Sequence, residues 1–454
     1  MALQGFTRIV GITLLLLVIC VITTAINPVF VDPLNLFNLL RWTALFGILA
    51  LGVAFVIITG GIDLSIGSVV ALTGIVLMQL LQPNFVETGQ LFTIEAVGED
   101  FKTIQVGGDT PSLVDKDQVW IVNPAFNENA DDDVAEYLAT YNIDGEATER
   151  LGKPGWIALR DRVSEDSLGK QGEIFERRFM NPWLAIGVTL GVGGVIGLFH
   201  GLLIGYAKLQ PFIVTLCGLM GYRGVARLVS GDQTLSLDPR FGGLRELAIG
   251  QPFDVPVPFI EMIAKPAADG QAAGLFGWVP VPIPMLILLV MAVAAAVFLH
   301  KSVPGRHLLA MGQNEEAARF SGINTRLMTL LAYVLCSTLA AVGGVLFALD
   351  VNTVQPSSHG NFYELYAIAA AVLGGCSLRG GVGSIAGVVI GTAVMRALYN
   401  AINLLEQPTY WEYVIIGVVL LFGVMIDELG RAAIRSFKTR RRREKLTETS
   451  EKRE

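Results

Sequence analysis

The chain has 454 residues, of which 52% are hydrophobic and only 16% charged, and its mean hydropathy is +0.56. Soluble domains carry nearer a quarter charged residues, so a soluble enzyme built around one large core is excluded by the number of apolar stretches it would have to cover. The net charge of −7 is unevenly placed: residues 86–180 hold 20 acidic and nine basic side chains, a net −11, which leaves +4 for the rest.

A single basic residue, Arg8, precedes the first apolar run. No A-x-A cleavage site follows, so the run reads as an uncleaved first span rather than a signal peptide. Hydropathy predicts about ten spans, at 9–28, 40–59, 65–82, 183–206, 211–230, 284–300, 327–349, 364–378, 383–403 and 411–430. Each approaches the ~20 residues a helix needs to cross ~30 Å of hydrocarbon. The expected fold is an all-α polytopic membrane protein of about ten transmembrane helices, with an inserted small extracytoplasmic α+β domain. Residues 1–85 hold spans one to three, 86–180 the insert, 181–430 spans four to ten with a polar loop at 303–326, and 431–454 a basic tail. With the N-terminus in the cytoplasm, Arg8, Lys208, Lys301, Arg306, Arg319, Arg326, Arg379 and the tail fall inside, while loops 350–362 and 404–410 contain no Lys or Arg. This is the positive-inside bias, and an even span number puts both termini in the cytoplasm.

Between spans two and three lies Gly60-Gly61-Ile62-Asp63-Leu64-Ser65-Ile66-Gly67-Ser68. The glycines permit positive φ and close helix approach. Asp63 or Ser65 can cap the next helix, and an acid at a membrane edge is also a candidate solute contact. In the insert, 92–97 and 118–122 have strand character, and 131–141, opened by acids, suggests a helix. Segment 231–283, rich in Pro and Gly, reads as an irregular outer cap. Arg223 and Arg227 share a helix face, suited to a salt bridge or snorkelling. Segment 305–322 is charged and helix-forming between two apolar runs, so it is a short amphipathic helix outside the hydrocarbon. Asn361, Tyr363 and Glu364 open span eight, as pathway residues or as interfacial anchor and cap. The glycines of 374–391, Gly374, Gly375, Gly380 and Gly381 among them, suit tight helix packing or a gate. Residues 65–70 resemble 384–389 weakly, each after a Gly-Gly.

The four cysteines lie in apolar runs and the four histidines are scattered, so no metal site is indicated. No phosphate-binding Gly-x4-Gly-Lys-Ser/Thr occurs, so no nucleotide cofactor is expected on this chain and any ATP chemistry belongs to another polypeptide. The basic run 440–443 suits an anchor to anionic lipid rather than to nucleic acid.

Glu316-Ala317-Ala318, three residues and Gly322 resemble the cytoplasmic EAA loop of ATP-binding-cassette importer permeases. The Ile-x-Leu-Pro ending of some branches is absent, which points to the sugar and branched-chain amino-acid branch. The Gly60–Ser68 stretch resembles the GGIDLSVGS-type sequence of ribose and other simple-sugar permeases. Residues 211–216 with Arg223-Gly224, then Pro356, Gly360, Tyr363-Glu364 and 367–370, and finally 373–384, fit the same family in the same order. The resemblance covers most of 1–85 and 183–430 and omits the insert. It implies a non-enzymatic permease subunit of a simple-sugar importer in the cytoplasmic (inner) membrane. Its EAA loop would couple to a cytoplasmic ATPase through Gly312, Asn314, Glu316, Ala317, Ala318 and Gly322. Its partners would be that ATPase, an extracytoplasmic solute-binding protein and a second permease copy. Asp63, Ser65, Asn361, Tyr363 and Glu364 are the candidate pathway or gate residues. Three rivals stay open: a branched-chain amino-acid permease, an ion-driven secondary transporter, and a membrane-anchored enzyme or sensor acting through 86–180.

Overall fold

The computed structural model describes residues 2–107, 118–122, 137–143, 147–148, 151, 156–163, 167–168, 170–258 and 276–408, with 410, 411, 413–415, 417, 418, 421 and 425 beyond them. The chain divides into two compact units, Met1–Leu80 with Pro182–Glu454, and Leu81–Asn181.

The first unit is helical: α1 (Ala2–Ile26), α2 (Pro33–Ile58), α3 (Ile66–Leu80), α4 (Pro182–Gly201), α5 (Pro211–Val229), α6 (Glu246–Ile249), α7 (Ile283–Lys301), α8 (Val303–Gln313), α9 (Glu315–Phe320), α10 (Thr325–Val351), α11 (Tyr363–Leu373) and α12 (Ile385–Leu404). Among the described residues seven helices are long and apolar enough to cross a membrane: α1, α2, α4 with its π-helical end Leu202–Tyr206, α5, α7, α10 and α12. The protein is therefore a multi-pass helical membrane protein. Two predicted spans come out short: α3 has 15 residues where 65–82 was expected, and α11 has 11 in place of 364–378. The pair Gly374-Gly375 ends α11, whereas α3 ends three residues before Pro83. The predicted tenth span, 411–430, is described only at scattered positions, and the tail 431–454 lies outside the described residues.

Helix α2 is the axis of this unit. Pro33 opens it, and the Asp32 carboxylate accepts the Leu34 N–H at 2.9 Å, a regular N-cap. Every residue from 43 to 58 is buried, because α2 is apolar on all faces and α7, α10, α11 and α12 pack around it. Helix α1 is the opposite case: only 6% of its apolar window is buried inside the protein.

Helix α4 lies against α10 along glycines spaced by four. Gly193 meets Ser337 and Ala341, Gly197 the backbone of Tyr333 and Val334, Gly201 that of Leu330, and Gly205 the Arg326 carbonyl. In lipid, helices associate by such close backbone packing rather than by the hydrophobic effect. A Cβ on Gly197 would lie 2.6 Å from the Val334 Cα, a backbone atom that cannot step aside. Gly197→Leu is expected to cost at least about 3 kcal/mol, the upper end of ordinary overpacking. The check is the thermal unfolding midpoint in detergent, where Gly194→Leu, whose nearest neighbour is the Thr338 hydroxyl at 3.8 Å, should have a much smaller effect.

The second unit is a six-stranded antiparallel sheet of β1 (Asn84–Val97), β2 (Thr103–Gly107), β3 (Gln118–Val122), β4 (Tyr137–Asn142), β5 (Trp156–Ala158) and β6 (Gln171–Arg178), in the order β4-β3-β6-β1-β2-β5. Its core holds Ile94, Ile104, Val119, Ile157 and Ile174, and Trp120 stacks on Phe175 at 4.3 Å. The strands expected at 92–97 and 118–122 fall within β1 and β3. The helix expected at 131–141 is contradicted where it is described: 137–141 belongs to β4, paired with β3, and 131–136 lies outside the described residues. Ala139 and Tyr141, two apart, face the core, and this strand period overrides the helix-like acidic start.

In the helical unit, segment 231–283 is more regular than expected where it is described, at 231–258 and 276–283. It contains β7 (Leu235–Ser236), the 3₁₀ turn Pro239–Arg245, α6, and the hairpin of β8 (Phe253–Pro258) with β9 (Phe276–Val281). Strand β7 pairs with β10 (Thr353–Val354) just after α10.

Candidate functional site

The predicted site residues fall into three places in the helical unit. The first is the break between α2 and α3. Residues 59–65 are not helical, and Gly60 takes a φ of +84°, open to glycine without strain. Gly60 lies against the backbone of Arg379 and Gly380, while Gly67 lies against Gly360. Gly67 thus sits against the loop before α11 and Gly60 against the link after it. Freed backbone groups inside hydrocarbon need protein partners. The Tyr333 hydroxyl donates to the Ile62 carbonyl at 3.2 Å, and the Thr215 hydroxyl does so at 3.4 Å.

Asp63 is 1% exposed and Ser65 is fully buried. Asp63 Oδ1 accepts the Ser65 N–H at 2.9 Å and its hydroxyl at 2.7 Å, so the carboxylate shapes the turn that starts α3. His200, Tyr222, Tyr333 and Cys336 lie within its electrostatic reach, and the Tyr222 hydroxyl meets His200 Nε2 at 2.9 Å. Sequence reading passed over this polar layer, since its members come from three helices and the break itself. Glu364 is also within the electrostatic reach of Asp63: buried at the start of α11, it accepts the Gly67 N–H in the first turn of α3, where the helix dipole favours a negative charge.

The second place is the polar loop. The Ser302 hydroxyl caps α8 through the Gly305 N–H, and Asn314 caps α9 through the Ala317 N–H at 2.9 Å. Glu315 and Glu316 occupy the first turn of α9 and Arg319 the last, matching the helix dipole. Ala318 is buried, Ala317 is exposed, and Phe320 is 83% exposed. Gly322 closes the turn at φ +85°. The single amphipathic helix expected over 305–322 is instead two, α8 and α9, broken at Asn314, and Gly312 belongs to the last turn of α8. Gly312 packs directly on the Ile58 carbonyl and on Gly381. The Gly381 N–H donates to that carbonyl at 2.7 Å, and Gly380 touches Gly60 and the Gly312 carbonyl. Gly61 lies under the Tyr333 hydroxyl, and Gly374 abuts the backbone of Gly387, with Gly375 at φ +92°. Three backbones therefore meet through glycine: the end of α2, the end of α8 and the link from α11 to α12. The helices α3 and α12 start at Ile66 and Ile385, equivalent points of the short internal similarity.

The third place is a cavity of about 560 Å³ between α2, α11 and α12. Asn361 and Tyr363 line it, as do Asn35, Asn38, Arg41, Trp42, Phe46, Tyr366, Arg396, Tyr399, Asn400 and Asn403. Asp63, Ser65 and Glu364 do not. Arg396, 7% exposed, faces the rings of Trp42, Phe46 and Tyr399, with its guanidinium carbon 4.4 Å from the Tyr399 centroid. The signal for this site was present in the sequence as a lone arginine inside a span and as asparagines three apart at 35/38 and 400/403.

Arg223 ties the loop before α11 to α5 by donating to the carbonyls of Pro356, at 3.2 Å, and His359. Arg227 pairs with Asp232 through two bonds of 2.8 Å, the expected salt bridge. Burial, with Arg223 adding to it, pushes the His359 imidazole down to about 4. Folding therefore holds this ring neutral, and stability present above the usual value near ~6.5 is lost as pH falls toward 4. The linkage amounts to about 3 kcal/mol at most. The unfolding midpoint is expected to drop between pH 6.5 and 4, and less steeply in His359→Gln.

The family described as "Branched-chain amino acid transport system / permease component" matches residues 35–125 and 154–424. The chain is 28% identical over 425 residues to the ribose import permease protein RbsC of Bacillus subtilis (strain 168), which covers 93% of this chain and 94% of that protein. It is 28% identical over 419 residues to RbsC of Escherichia coli (strain K12), 91% of each chain. It is 27% identical over 473 residues to the xylose transport system permease protein XylH of Escherichia coli (strain K12), 94% of this chain and 92% of that one. No solved structure matches the chain. With most of its length inside the family match, and its broken span and glycine junction inside the matched residues, the chain belongs to this family of transport-system permease components.

Proposed function

We propose that this protein is the membrane subunit of an ATP-binding-cassette importer for a simple sugar, a ribose-like monosaccharide, with ATP hydrolysed by a separate subunit. The similar proteins named for ribose and xylose transport support the substrate class. One observation carries the coupling: the exposed α9 is joined, through Gly312 at the end of α8, to the break beside Asp63. A cytoplasmic ATPase would hold α9 by Asn314, Glu316, Ala317, Ala318 and the turn at Gly322. Its closure on ATP would move α8, and with it Gly60-Gly61 and Gly380-Gly381, between outward and inward access. Asp63, Ser65, Asn361, Tyr363 and Glu364 act as pathway or gate residues in this reading. Two permease copies form the pathway, and an extracytoplasmic binding protein delivers the sugar.

The topology belongs to the same proposal: ten spans in the cytoplasmic membrane, both termini in the cytoplasm, and an extracytoplasmic 86–180 folded as a separate unit, with the basic tail on anionic lipid. The positive-inside bias and the −11 charge of the insert support it. Ser112 and Asn129, natural labelling points, lie outside the described residues, whereas Lys102 is exposed. In a variant lacking the native cysteines, Lys102→Cys is expected to react with a membrane-impermeant thiol reagent on intact cells. Reaction only after lysis would reverse the topology.

The function itself is tested by co-purification. The wild-type chain is expected to bring down an ATPase, and the paired change Ala317→Arg with Phe320→Asp to lose it. Equal capture by both proteins would reject α9 as the docking element.

A further inference from the structure

We propose that the cavity between α2, α11 and α12 is itself a binding site for one neutral cyclic sugar, a station on the path within the permease. The inference rests on the importer reading above and adds the place, the contacts and the charge class.

Its walls match the two-sided chemistry of a sugar ring. One side is aromatic: Phe46 lies 4.8 Å from Tyr363 and 5.4 Å from Tyr366, centroid to centroid, with Trp42 at 6.2 Å beyond. The C–H face of a pyranose or furanose packs on such rings. The other side presents amides. Asn35 and Asn400 bond each other reciprocally, at 3.0 and 2.7 Å, and Asn35 donates also to the Phe30 carbonyl at 2.8 Å. That pairing fixes which way both amides face. Asn400 then has a second N–H and a second lone pair to offer, a donor and an acceptor for adjacent hydroxyls. Asn38 and Asn403 stand exposed at the rim.

The charges select against other solutes. Among the described residues no Asp or Glu lines the cavity, so the ammonium of an amino acid would enter without a counter-charge there. Arg41 is paired with Asp350 at 3.3 Å, and Arg396 is held over three rings. Gluconate in the test below therefore separates a neutral ligand from an anionic one. The volume of about 560 Å³ falls within the ~300–1,000 Å³ usual for small-molecule sites.

The test uses the full chain in lipid nanodiscs and saturation-transfer NMR with D-ribose, D-xylose, D-glucose, leucine and gluconate as probes. Wild-type protein is expected to saturate at least one neutral sugar, most strongly at its ring C–H protons, and not leucine. Asn400→Leu should weaken that binding about tenfold, the loss of its hydroxyl contacts. Asn38→Trp, at an exposed position where folding tolerates bulk, should fill the cavity and abolish binding. Unchanged sugar binding in Asn38→Trp overturns the proposal, as does tighter binding of leucine or gluconate than of every neutral sugar. Uptake by the complete importer is measured in parallel. Sugar uptake at an unchanged rate in Asn38→Trp removes the cavity from the path and leaves the importer reading standing. Leucine uptake without sugar uptake by the wild type removes the reading itself.

Discussion

Gly312→Val is expected to abolish ATP-driven uptake while the protein still reaches the membrane and still binds its ATPase. The first valine carbon would run into the Ile58 carbonyl and the Gly381 backbone, neither of which can rotate away. The clash lies between α8 and the two glycine-rich links, not within α9, so the docking surface is left intact. Overpacking of this kind costs about 1–3 kcal/mol, and here the cost falls on relative motion of three backbones. The expected readout is a loss of at least about a hundredfold in uptake rate with ATPase capture unchanged, equivalent to about 3 kcal/mol at the barrier. Gly322→Leu is the comparison. Gly322 has no neighbour within 4 Å, but its φ of +85° costs a leucine roughly 1–2 kcal/mol. It should distort α9 and weaken ATPase capture itself, so the two glycines fail at different steps.

Asp63→Ala is expected to remove most transport and to lower stability by about 1–3 kcal/mol, since it leaves the buried Ser65 N–H without its acceptor. Asp63→Asn separates charge from shape. Its side-chain oxygen can still accept both bonds from Ser65, so it is expected to retain more than about half of wild-type uptake. Uptake in Asp63→Asn as low as in Asp63→Ala would show that the negative charge, not the turn, is what transport requires. His200→Gln supplies an independent control, because it breaks the contact with Tyr222 without touching Ser65.

Much of the helical unit was legible in the sequence because hydrocarbon imposes one rule: a span needs a long apolar helix. Helices α2, α4, α5, α7, α10 and α12 lie where hydropathy places them. The rule fails where the backbone is broken. The break at 60–64 falls between the predicted spans two and three, but what satisfies it was not visible: Tyr333 and Thr215 supply donors to the Ile62 carbonyl. Those partners come from 153 and 271 residues away, beyond any local pattern. The glycines were read as packing residues, and they do pack, but that Gly312 joins Gly60 and Gly380 depends on three segments meeting in space. Asn361, Tyr363 and Glu364 were singled out together; the first two share a cavity and Glu364 does not line it. Arg396, Asn35 and Asn400, which complete its lining, were passed over because each alone resembles an ordinary polar interruption of a span. In the insert, the helix expected over 131–141 failed at β4 because pairing with β3 outweighs a favourable helix start.

The central claim is that this chain carries a sugar only when a separate ATPase turns over. The most direct test is uptake of labelled neutral pentoses and hexoses into proteoliposomes that contain the permease, its ATPase and its binding protein. Uptake is expected with ATP, to be absent with a non-hydrolysable analogue, and to be absent when the ATPase is omitted under an imposed proton or sodium gradient. Sugar accumulation driven by an ion gradient, without the ATPase, would contradict the account.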